Sequence, residues 1–134
     1  MGDVGGYEDF PASDRKHILV VDDDSLQLAM IKDNLNEFYN VTLVKSGSAC
    51  LKYLQKHKPD LIFLDYIMPE MDGPATLAAI RNEFPDFSIP VVFLTGMVDR
   101  ETIIDTLVDL MPQGYIVKPA TKAELVCKVI GILG

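Results

Sequence analysis

The most constraining stretch of the sequence covers residues 60–73 and reads DLIFLDYIMPEMDG. Residues 61–64 are all apolar, which is typical of a strand covered on both faces in a parallel sheet. The strand ends on the carboxylate of Asp65, and Pro69 then turns the chain toward a helix that Asp72 is expected to cap. Asp65 is therefore expected at a strand's carboxyl end, where open α/β sheets bind ligands. A single acidic residue in this position is more often a turn cap, so the rest of the chain decides its role.

The remainder of the chain alternates apolar strands with amphipathic helices. Short apolar runs predict four more strands, at 17–21, 41–44, 91–94 and 115–117. The first helix carries apolar residues at helical spacing, namely Leu28, Ile31, Leu35 and Phe38. Five strands alternating with five helices imply right-handed crossovers onto one parallel sheet, whose simplest strand order is 2-1-3-4-5. The predicted fold class is α/β, a doubly wound (βα)5 domain.

The composition fits one folded domain and argues against several classes of function. The chain has 134 residues, of which 49% are hydrophobic and 24% charged. We expect a flexible tail at 1–14, which lacks periodicity, and a single domain at 15–134. The net charge of −8 disfavours direct binding to nucleic acid, and the absence of a membrane-length apolar run or secretory signal favours the cytoplasm. Cys50 and Cys127 lack metal-binding or Cys-x-x-Cys spacing and are interpreted as reduced thiols.

Polar residues follow four of the five predicted strands. The carboxyl ends of parallel strands share one edge of the sheet, so these residues are expected to converge: Asp22, Asp23, Asp65, Thr95 and Lys118. Three carboxylates packed together repel one another unless a cation lies among them, and oxygen ligands with room for water favour Mg²⁺. Such an ion neutralises phosphoryl oxygens, which makes Asp65 a candidate nucleophile that forms an aspartyl phosphate. Lys118 and the Thr95 hydroxyl would bind the remaining phosphoryl oxygens.

These strand-end residues and the motif LDYIMPEMDG at 64–73 closely resemble the receiver domain of two-component response regulators, the CheY-like family. The resemblance covers residues 17–133 and implies a flavodoxin-like sheet. It also implies a set of Mg²⁺ ligands: Asp23, Asp65 and the backbone carbonyl of Ile67 directly, and Asp22 through a water molecule. It further implies that Asp65 accepts a phosphoryl group from a phosphohistidine on a histidine kinase or phosphotransfer protein.

The resemblance implies a conformational switch as well. Movement of Thr95 toward the phosphoryl group would leave space for Tyr115 to turn inward, although Tyr115 as an ordinary core residue remains open. This change would alter the surface of the fourth helix, expected at 99–110, the fifth strand and the fifth helix. The fourth helix has a wide apolar stripe, formed by Ile103, Ile104, Leu107, Val108, Leu110 and Met111. We expect this surface to bind a downstream effector or output domain or to form a homodimer; deep packing of the helix explains the stripe nearly as well.

Several positions depart from the commoner family pattern. Ile67 and Met97 are apolar where polar side chains in some receivers position an attacking water, so a long-lived aspartyl phosphate is expected. Ala120 replaces the bulky aromatic residue that is common after Lys-Pro, which affects the details of the output surface. The Lys118–Pro119 peptide bond is expected to be cis, as its counterpart in the family usually is.

Three other classes of protein use a similar sheet or site. A phosphatase of the haloacid-dehalogenase type requires a second acid where Ile67 stands, and a flavin binder would be repelled by the carboxylates at 22–24. A degenerate receiver that only binds proteins stays open. We expect a regulatory module that catalyses its own phosphorylation and slow dephosphorylation, rather than an enzyme. Because no DNA-binding domain follows Gly134, both a stand-alone receiver and a receiver cut from a longer hybrid kinase or effector remain open.

Overall fold

The sheet has the strand order that the sequence predicts. A computed structural model describes residues 14–96, 101, 104, 105, 108 and 110–134. Its five strands are all parallel and lie in the order β2-β1-β3-β4-β5. They are β1 (His17–Val21), β2 (Asn40–Val44), β3 (Leu61–Asp65), β4 (Val91–Thr95) and β5 (Gly114–Val117). Each strand lies within one residue of its predicted bounds. The tail expected at 1–14 lies, apart from Asp14, outside the described residues.

Helices cover both faces of this sheet. Four of them have defined bounds in the described part of the chain: α1 (Ser25–Leu35), α2 (Gly47–Leu54), α3 (Gly73–Glu83) and a C-terminal helix (Lys122–Leu133). Between β4 and β5 the backbone is also helical at the described positions of the expected fourth helix, namely Glu101, Ile104, Asp105, Val108 and Leu110. The doubly wound, flavodoxin-like α/β fold is therefore confirmed.

Local capping interactions set where these helices begin. The side chains of Asp24, Ser46 and Asp72 each accept a hydrogen bond from a backbone N–H in the first turn of the helix that follows. Thr121 and Glu124 form a reciprocal capping box at the start of the C-terminal helix. Each such cap typically contributes about 1 kcal/mol to helix stability. The cap expected at Asp72 is thereby confirmed.

The end of α1 is where the sequence pattern misleads. Phe38 is in register with the buried face of α1, but the helix ends at Leu35 and Phe38 lies beyond it with 47% of its surface exposed. The chain must reverse direction within four residues to enter β2 at Asn40, and this turn takes Phe38 out of the helical register. Its ring instead lies 5.6 Å from the Lys122 ammonium, in a cation–π geometry.

The core consists of two apolar layers separated by the sheet. Successive β1 residues alternate between them, since Leu19 packs in the layer beneath α2 and α3 while Val20 packs in the layer beneath α1 and the C-terminal helix. This alternation explains why the strand sequences are uninterrupted apolar runs. Because both faces of the strands are covered by apolar layers, polar side chains fit at the strand ends, where they disturb neither layer.

The two cysteines are both unpaired, as expected. Cys50 is buried in the layer beneath α2, and burial raises the pKa of its thiol to about 12. Cys127 lies on the exposed side of the C-terminal helix. Among the helices in the described part of the chain, none has the length and apolar character needed to cross a membrane.

Candidate functional site

The structure brings the predicted polar residues together at the carboxyl edge of the sheet. Asp22 directly follows β1, Asp65 is the last residue of β3, and Lys118 directly follows β5. The Lys118 ammonium lies 2.9 Å from Asp65 Oδ1 and 3.1 Å from Asp22 Oδ2. Residues up to 96 positions apart in the chain thus meet in one ion-paired cluster.

Asp22 is the most enclosed member of the cluster. Its residue surface is fully buried, and both of its carboxylate oxygens are engaged. Oδ2 accepts a hydrogen bond from Lys118, and Oδ1 accepts one from the backbone N–H of Asp24 at 2.9 Å. An ionised carboxylate with these two donors is stabilised without direct contact with any further ligand.

The three carboxylates form a pocket suited to a divalent cation. One oxygen from each of Asp22, Asp23 and Asp65 lies within 4.8 Å of the other two, and Asp23 is exposed. Three carboxylates and the single Lys118 ammonium leave two net negative charges when all are ionised. An oxygen-only donor set with one face open to water matches the preference of Mg²⁺. The residues present therefore fit the ion that the sequence implied.

The ionisation of Asp65 reflects the same electrostatic imbalance. Burial raises the pKa of Asp65, the nearby charge of Asp22 adds to this rise, and the hydrogen bond from Lys118 opposes it, leaving the pKa at about 6. Burial alone would lower the pKa of Lys118, but its hydrogen bonds to Asp65 and Asp22 outweigh burial and raise it. The lysine is thus held in its charged form, while the nucleophile candidate is only partly ionised near pH 6.

Thr95 places a buried hydroxyl group at the end of β4. The residue is buried, and its Oγ1 has no hydrogen-bond partner among the described residues. Its backbone is fixed to the neighbouring segment, since the Lys118 N–H donates to the Thr95 carbonyl at 2.7 Å. A buried hydroxyl without a partner typically costs about 1–3 kcal/mol, so the protein keeps this capacity for hydrogen bonding at some expense of stability.

The loop after β3 is shaped by close backbone contacts. A Cβ atom at Gly73 would lie 2.5 Å from the Asp65 carbonyl oxygen and 2.9 Å from Tyr66 Cα, so only glycine fits there. The Gly73 N–H donates to the Tyr66 carbonyl and closes the loop. Ile67 points outward from this loop with 63% of its surface exposed. The glycine of the motif thus lets the loop pack closely against the end of β3, where Asp65 lies.

Two further expectations concern residues around β5. The Lys118–Pro119 bond is cis, as the resemblance implied. Tyr115 is 41% exposed, whereas the next residue, Ile116, is buried. The alternative of Tyr115 as an ordinary core residue is therefore wrong for this conformation. Met97 lies outside the described residues.

Sequence reasoning missed two features of the site. The first is the hydrogen bond from the Asp24 backbone N–H to the Asp22 side chain, and the second is the set of close backbone contacts that requires glycine at position 73. The first follows from the local Asp-x-Asp spacing, in which an aspartate side chain accepts from the N–H two residues on. The second depends on how the loop folds against β3, and no local pattern indicates it.

Comparison with known proteins agrees with this geometry. A family model described as "Response regulator receiver domain" matches residues 18–130. The structure of the Vibrio cholerae chemotaxis protein CheY4 has a TM-score of 0.82 and 26% identity, covering 89% of this chain and 99% of that one. The receiver domain of a histidine kinase from Syntrophus aciditrophicus has a TM-score of 0.76 and 30% identity, covering 88% and 92%. The chain belongs to the response regulator receiver domain family.

Curated relatives carry the same domain within longer proteins. The 3',5'-cyclic-nucleotide phosphodiesterase regA of Dictyostelium discoideum is 33% identical over 97% of this chain, which covers 17% of that protein. The probable transcriptional regulator ycf27 of Cyanidium caldarium is 32% identical over 87% of this chain, which covers 46% of that protein. The chain thus spans less than half of these relatives. Receiver domains are regulatory modules of two-component systems and generally bind Mg²⁺ through an acidic pocket.

Proposed function

We propose that this chain is the phosphoacceptor of a two-component or phosphorelay system, with Asp65 as the residue that is phosphorylated. The observation that carries the proposal is the contact of Lys118 with both Asp65 and Asp22, beside the exposed carboxylate of Asp23. This arrangement supplies a nucleophile, a fixed cation for a phosphoryl oxygen and a pocket for a divalent ion. The donor is the phosphohistidine of a histidine kinase or a phosphotransfer protein.

The metal ligands in this proposal are Asp23, Asp65 and the backbone carbonyl of Ile67, with Asp22 acting through water. Mg²⁺ bound there would neutralise the phosphoryl oxygens and lower the repulsion that the carboxylates exert on them. Full engagement of Asp22 by Lys118 and the Asp24 N–H supports its indirect role. The exposure of Asp23 supports its direct role, because a hydrated ion can reach a solvent-facing carboxylate.

The protein residues then act as follows. An Asp65 oxygen attacks phosphorus, an O–P bond forms, and the N–P bond to the donor imidazole breaks, with its electron pair returning to the imidazole nitrogen. Lys118 exchanges its hydrogen bond with Asp65 for one with a phosphoryl oxygen while Asp22 keeps it in place. The buried Thr95 hydroxyl, which has no partner among the described residues, donates to another phosphoryl oxygen.

In this proposal, phosphorylation changes a surface of the domain that binds other proteins. Movement of Thr95 toward the phosphoryl group makes room for the half-exposed Tyr115 to turn inward. The surface that changes lies around β5 and carries exposed apolar side chains, including Ile104, Val108 and Ile130. A downstream effector, an output domain or a second copy of the chain binds there. We place this module in the cytoplasm, as the domain 15–134, with no direct contact to nucleic acid.

The aspartyl phosphate is expected to be long-lived. Hydrolysis requires a water molecule aligned with phosphorus, and neither Ile67 nor Met97 has a side chain that can orient one. The outward, exposed position of Ile67 supports this view, because its side chain offers only apolar surface beside the site. The module thus catalyses its own phosphorylation but only slow dephosphorylation.

The test is incubation of the purified protein with Mg²⁺ and acetyl phosphate, followed by intact mass measurement. We expect a phosphate-sized gain in the wild-type protein and none in Asp65→Asn. Asp33→Asn, which removes an exposed carboxylate on the outer side of α1, is the matched control and should gain the same mass as wild type. Equal labelling of Asp65→Asn would place the phosphoryl group on another residue and overturn the role of Asp65, and no labelling of the wild type would leave the chain as a module that only binds proteins.

A further inference from the structure

Positive charge is concentrated in one stretch of this acidic chain. The sequence has 12 Lys and Arg residues against 20 Asp and Glu residues, yet residues 38–59 contain four lysines and no carboxylate side chain. This stretch includes β2, α2 and the connection from α2 toward β3. It is therefore a positively charged region in a molecule whose net charge is −8.

Three of these lysines lie in water along α2. Lys45 precedes the helix, Lys52 lies in its last turn, and Lys56 follows its end. All three are exposed, and the ion pairs within the described part of the chain involve none of them. Lys58 is placed differently, because its ammonium lies 5.3 Å from the centre of the Phe87 ring. We call Lys45, Lys52 and Lys56 the lysine patch.

The opposite side of α2 is anchored to the rest of the domain. Cys50 and Leu54 are buried beneath the helix, and the Tyr53 hydroxyl lies 3.0 Å from Nε2 of His17 at the start of β1. The ring of His57, just after the helix, stacks on the Tyr53 ring with 4.5 Å between their centres. The backbone that carries the lysine patch is thus ordered before a partner binds, which lowers the entropic cost of binding.

The stability of α2 does not explain the whole patch. Lysines near the C-terminal end of a helix interact favourably with its dipole, which accounts for Lys52 and Lys56. A cation at the N-terminal end is unfavourable, and Lys45 lies directly before the N-cap residue, Ser46. The first turn of α2 contains no acidic residue that would offset this charge. The helix dipole therefore favours one end of the patch and opposes the other.

The surroundings of the patch indicate which kind of partner fits it. Between residues 39 and 66, a stretch that the structure describes throughout, no large apolar side chain is exposed, so a membrane surface would find no apolar anchor. Nucleic acid is disfavoured by the net charge of −8, and the ring of Tyr53 is already covered by His57 and cannot stack on a base. Exposed lysines on an ordered helix match a surface rich in carboxylates.

We propose that the lysine patch is a docking surface for a carboxylate-rich surface of a partner protein. The contact is electrostatic, so association is fast and weakens as salt is added. The patch is separate from the surface around β5, because β2 and β5 form opposite edges of the sheet, roughly 19 Å apart at about 4.8 Å per strand. Both surfaces can be occupied at once, and the inference does not rest on phosphorylation of Asp65.

Binding of a fluorescein-labelled decaglutamate peptide, followed by fluorescence anisotropy in EDTA, tests this surface. We expect the wild-type protein to bind in about 20 mM salt and to bind about tenfold more weakly in about 150 mM salt, because added ions screen the contact. The double variant Lys52→Glu and Lys56→Glu should bind about tenfold more weakly than wild type, or worse. In ¹⁵N-labelled wild type, the peptide should shift amide resonances of residues 45–58 and not those of residues 114–133.

The double variant Lys16→Glu and Lys32→Glu is the matched control. It changes the net charge by the same amount, and both lysines are exposed outside the patch. Its affinity for the peptide should stay within about threefold of wild type. Equal loss of binding in the two double variants, or no binding by the wild type at low salt, overturns the proposal. Amide shifts centred outside residues 45–58 overturn it as well, and this measurement needs no variant to fold.

Two further probes distinguish the other anionic partners. If a thymidine oligonucleotide or vesicles containing phosphatidylserine bind more tightly than the peptide, and Lys52→Glu with Lys56→Glu abolishes that binding, a protein is not the occupant. Asp65→Asn should bind the peptide as wild type does, since the acceptor is not part of the patch. A wild type that binds the peptide but is not labelled by acetyl phosphate would overturn the phosphoacceptor function alone.

Discussion

At the scale of single residues, the site places Asp65 in an environment that is unfavourable for its ionised form. Burial and the neighbouring charge of Asp22 disfavour its ionised form, and the hydrogen bond from Lys118 only partly offsets this cost. Its pKa of about 6, raised from 3.8, has a definite consequence for stability. An acid whose pKa is higher in the folded than in the unfolded state stabilises the protein most at pH values below its pKa in the unfolded state. This stabilisation is lost as the pH rises through its pKa in the folded state.

The first prediction concerns this pH dependence. Asp65→Asn should be more stable than wild type above pH 6 in metal-free buffer, by on the order of 1–3 kcal/mol, because it removes the cost of ionising a buried acid. The difference should disappear between about pH 6 and pH 4, as the wild-type carboxyl takes up its proton. Urea unfolding in EDTA at pH 8 and pH 4.5 measures it.

Magnesium provides the complementary measurement on the same pair. Addition of Mg²⁺ at pH 8 should stabilise the wild-type protein more than Asp65→Asn, because the ion binds the ionised carboxylate only in the folded state. Equal unfolding free energies of the two proteins at pH 8 without metal would contradict the electrostatic account of the site.

At the scale of secondary structure elements, glycines show how packing between elements limits substitution. A Cβ at Gly47, the first residue of α2, would lie 2.2 Å from Thr76 Oγ1 and 2.8 Å from Met71 Sδ. Thr76 is buried in α3, so α2 and the segment around α3 meet here at the distance that only glycine permits. Gly131 in the C-terminal helix has open space where its Cβ would lie.

The second prediction uses this pair of glycines. Gly47→Ala should destabilise the protein by about 1–3 kcal/mol, because α2 must shift away from α3 to accommodate the methyl group. Gly131→Ala should stabilise it by about 0.5–1 kcal/mol, since alanine is the better helix former and meets no neighbour. Thermal unfolding of both variants in parallel checks the signs, and a loss of stability in Gly131→Ala would argue against an open environment there.

Predictability from sequence also differs by element. The strands and the cap at Asp72 follow from local signals, because apolar runs and capping side chains act within a few residues. The end of α1 does not, since the turn into β2 overrides the helical register that Phe38 continues. The hydrogen bonds from Arg81 to the Leu110 and Met111 carbonyls join residues 29 and 30 positions apart, and no periodicity in the sequence encodes such contacts.

At the scale of the whole molecule, the topology determines the site more than any one motif does. The parallel order β2-β1-β3-β4-β5 forces the ends of β1, β3 and β5 to one edge, and this let the sequence place Asp22, Asp65 and Lys118 together in advance. The exposure of Tyr115, and the Thr95 hydroxyl that has no partner among the described residues, depend on three-dimensional packing. Sequence alone left the position of Tyr115 open.

The third prediction concerns association through the surface around β5. Ile104 is 49% exposed and Val108 is 69% exposed, so charged substitutions there are compatible with folding. The double variant Ile104→Asp and Val108→Asp should lose any self-association or effector binding, because the new carboxylates would have to be desolvated in the interface. Analytical ultracentrifugation with and without beryllofluoride, a phosphoryl analogue, measures self-association. If the wild type associates and the double variant sediments in the same way, this surface is not the interface.

Confinement of the charged cluster to the strand ends has an evolutionary consequence. Each helix that covers the sheet packs one side against the core and exposes the other side to water. Side chains on the exposed sides can therefore be substituted without a change in the acidic cluster. The outer surface of such a domain, and the partners it binds, can therefore change while the acidic pocket stays the same. The relatives of this chain, which include a phosphodiesterase and a probable transcriptional regulator, carry the same domain within longer proteins of different kinds.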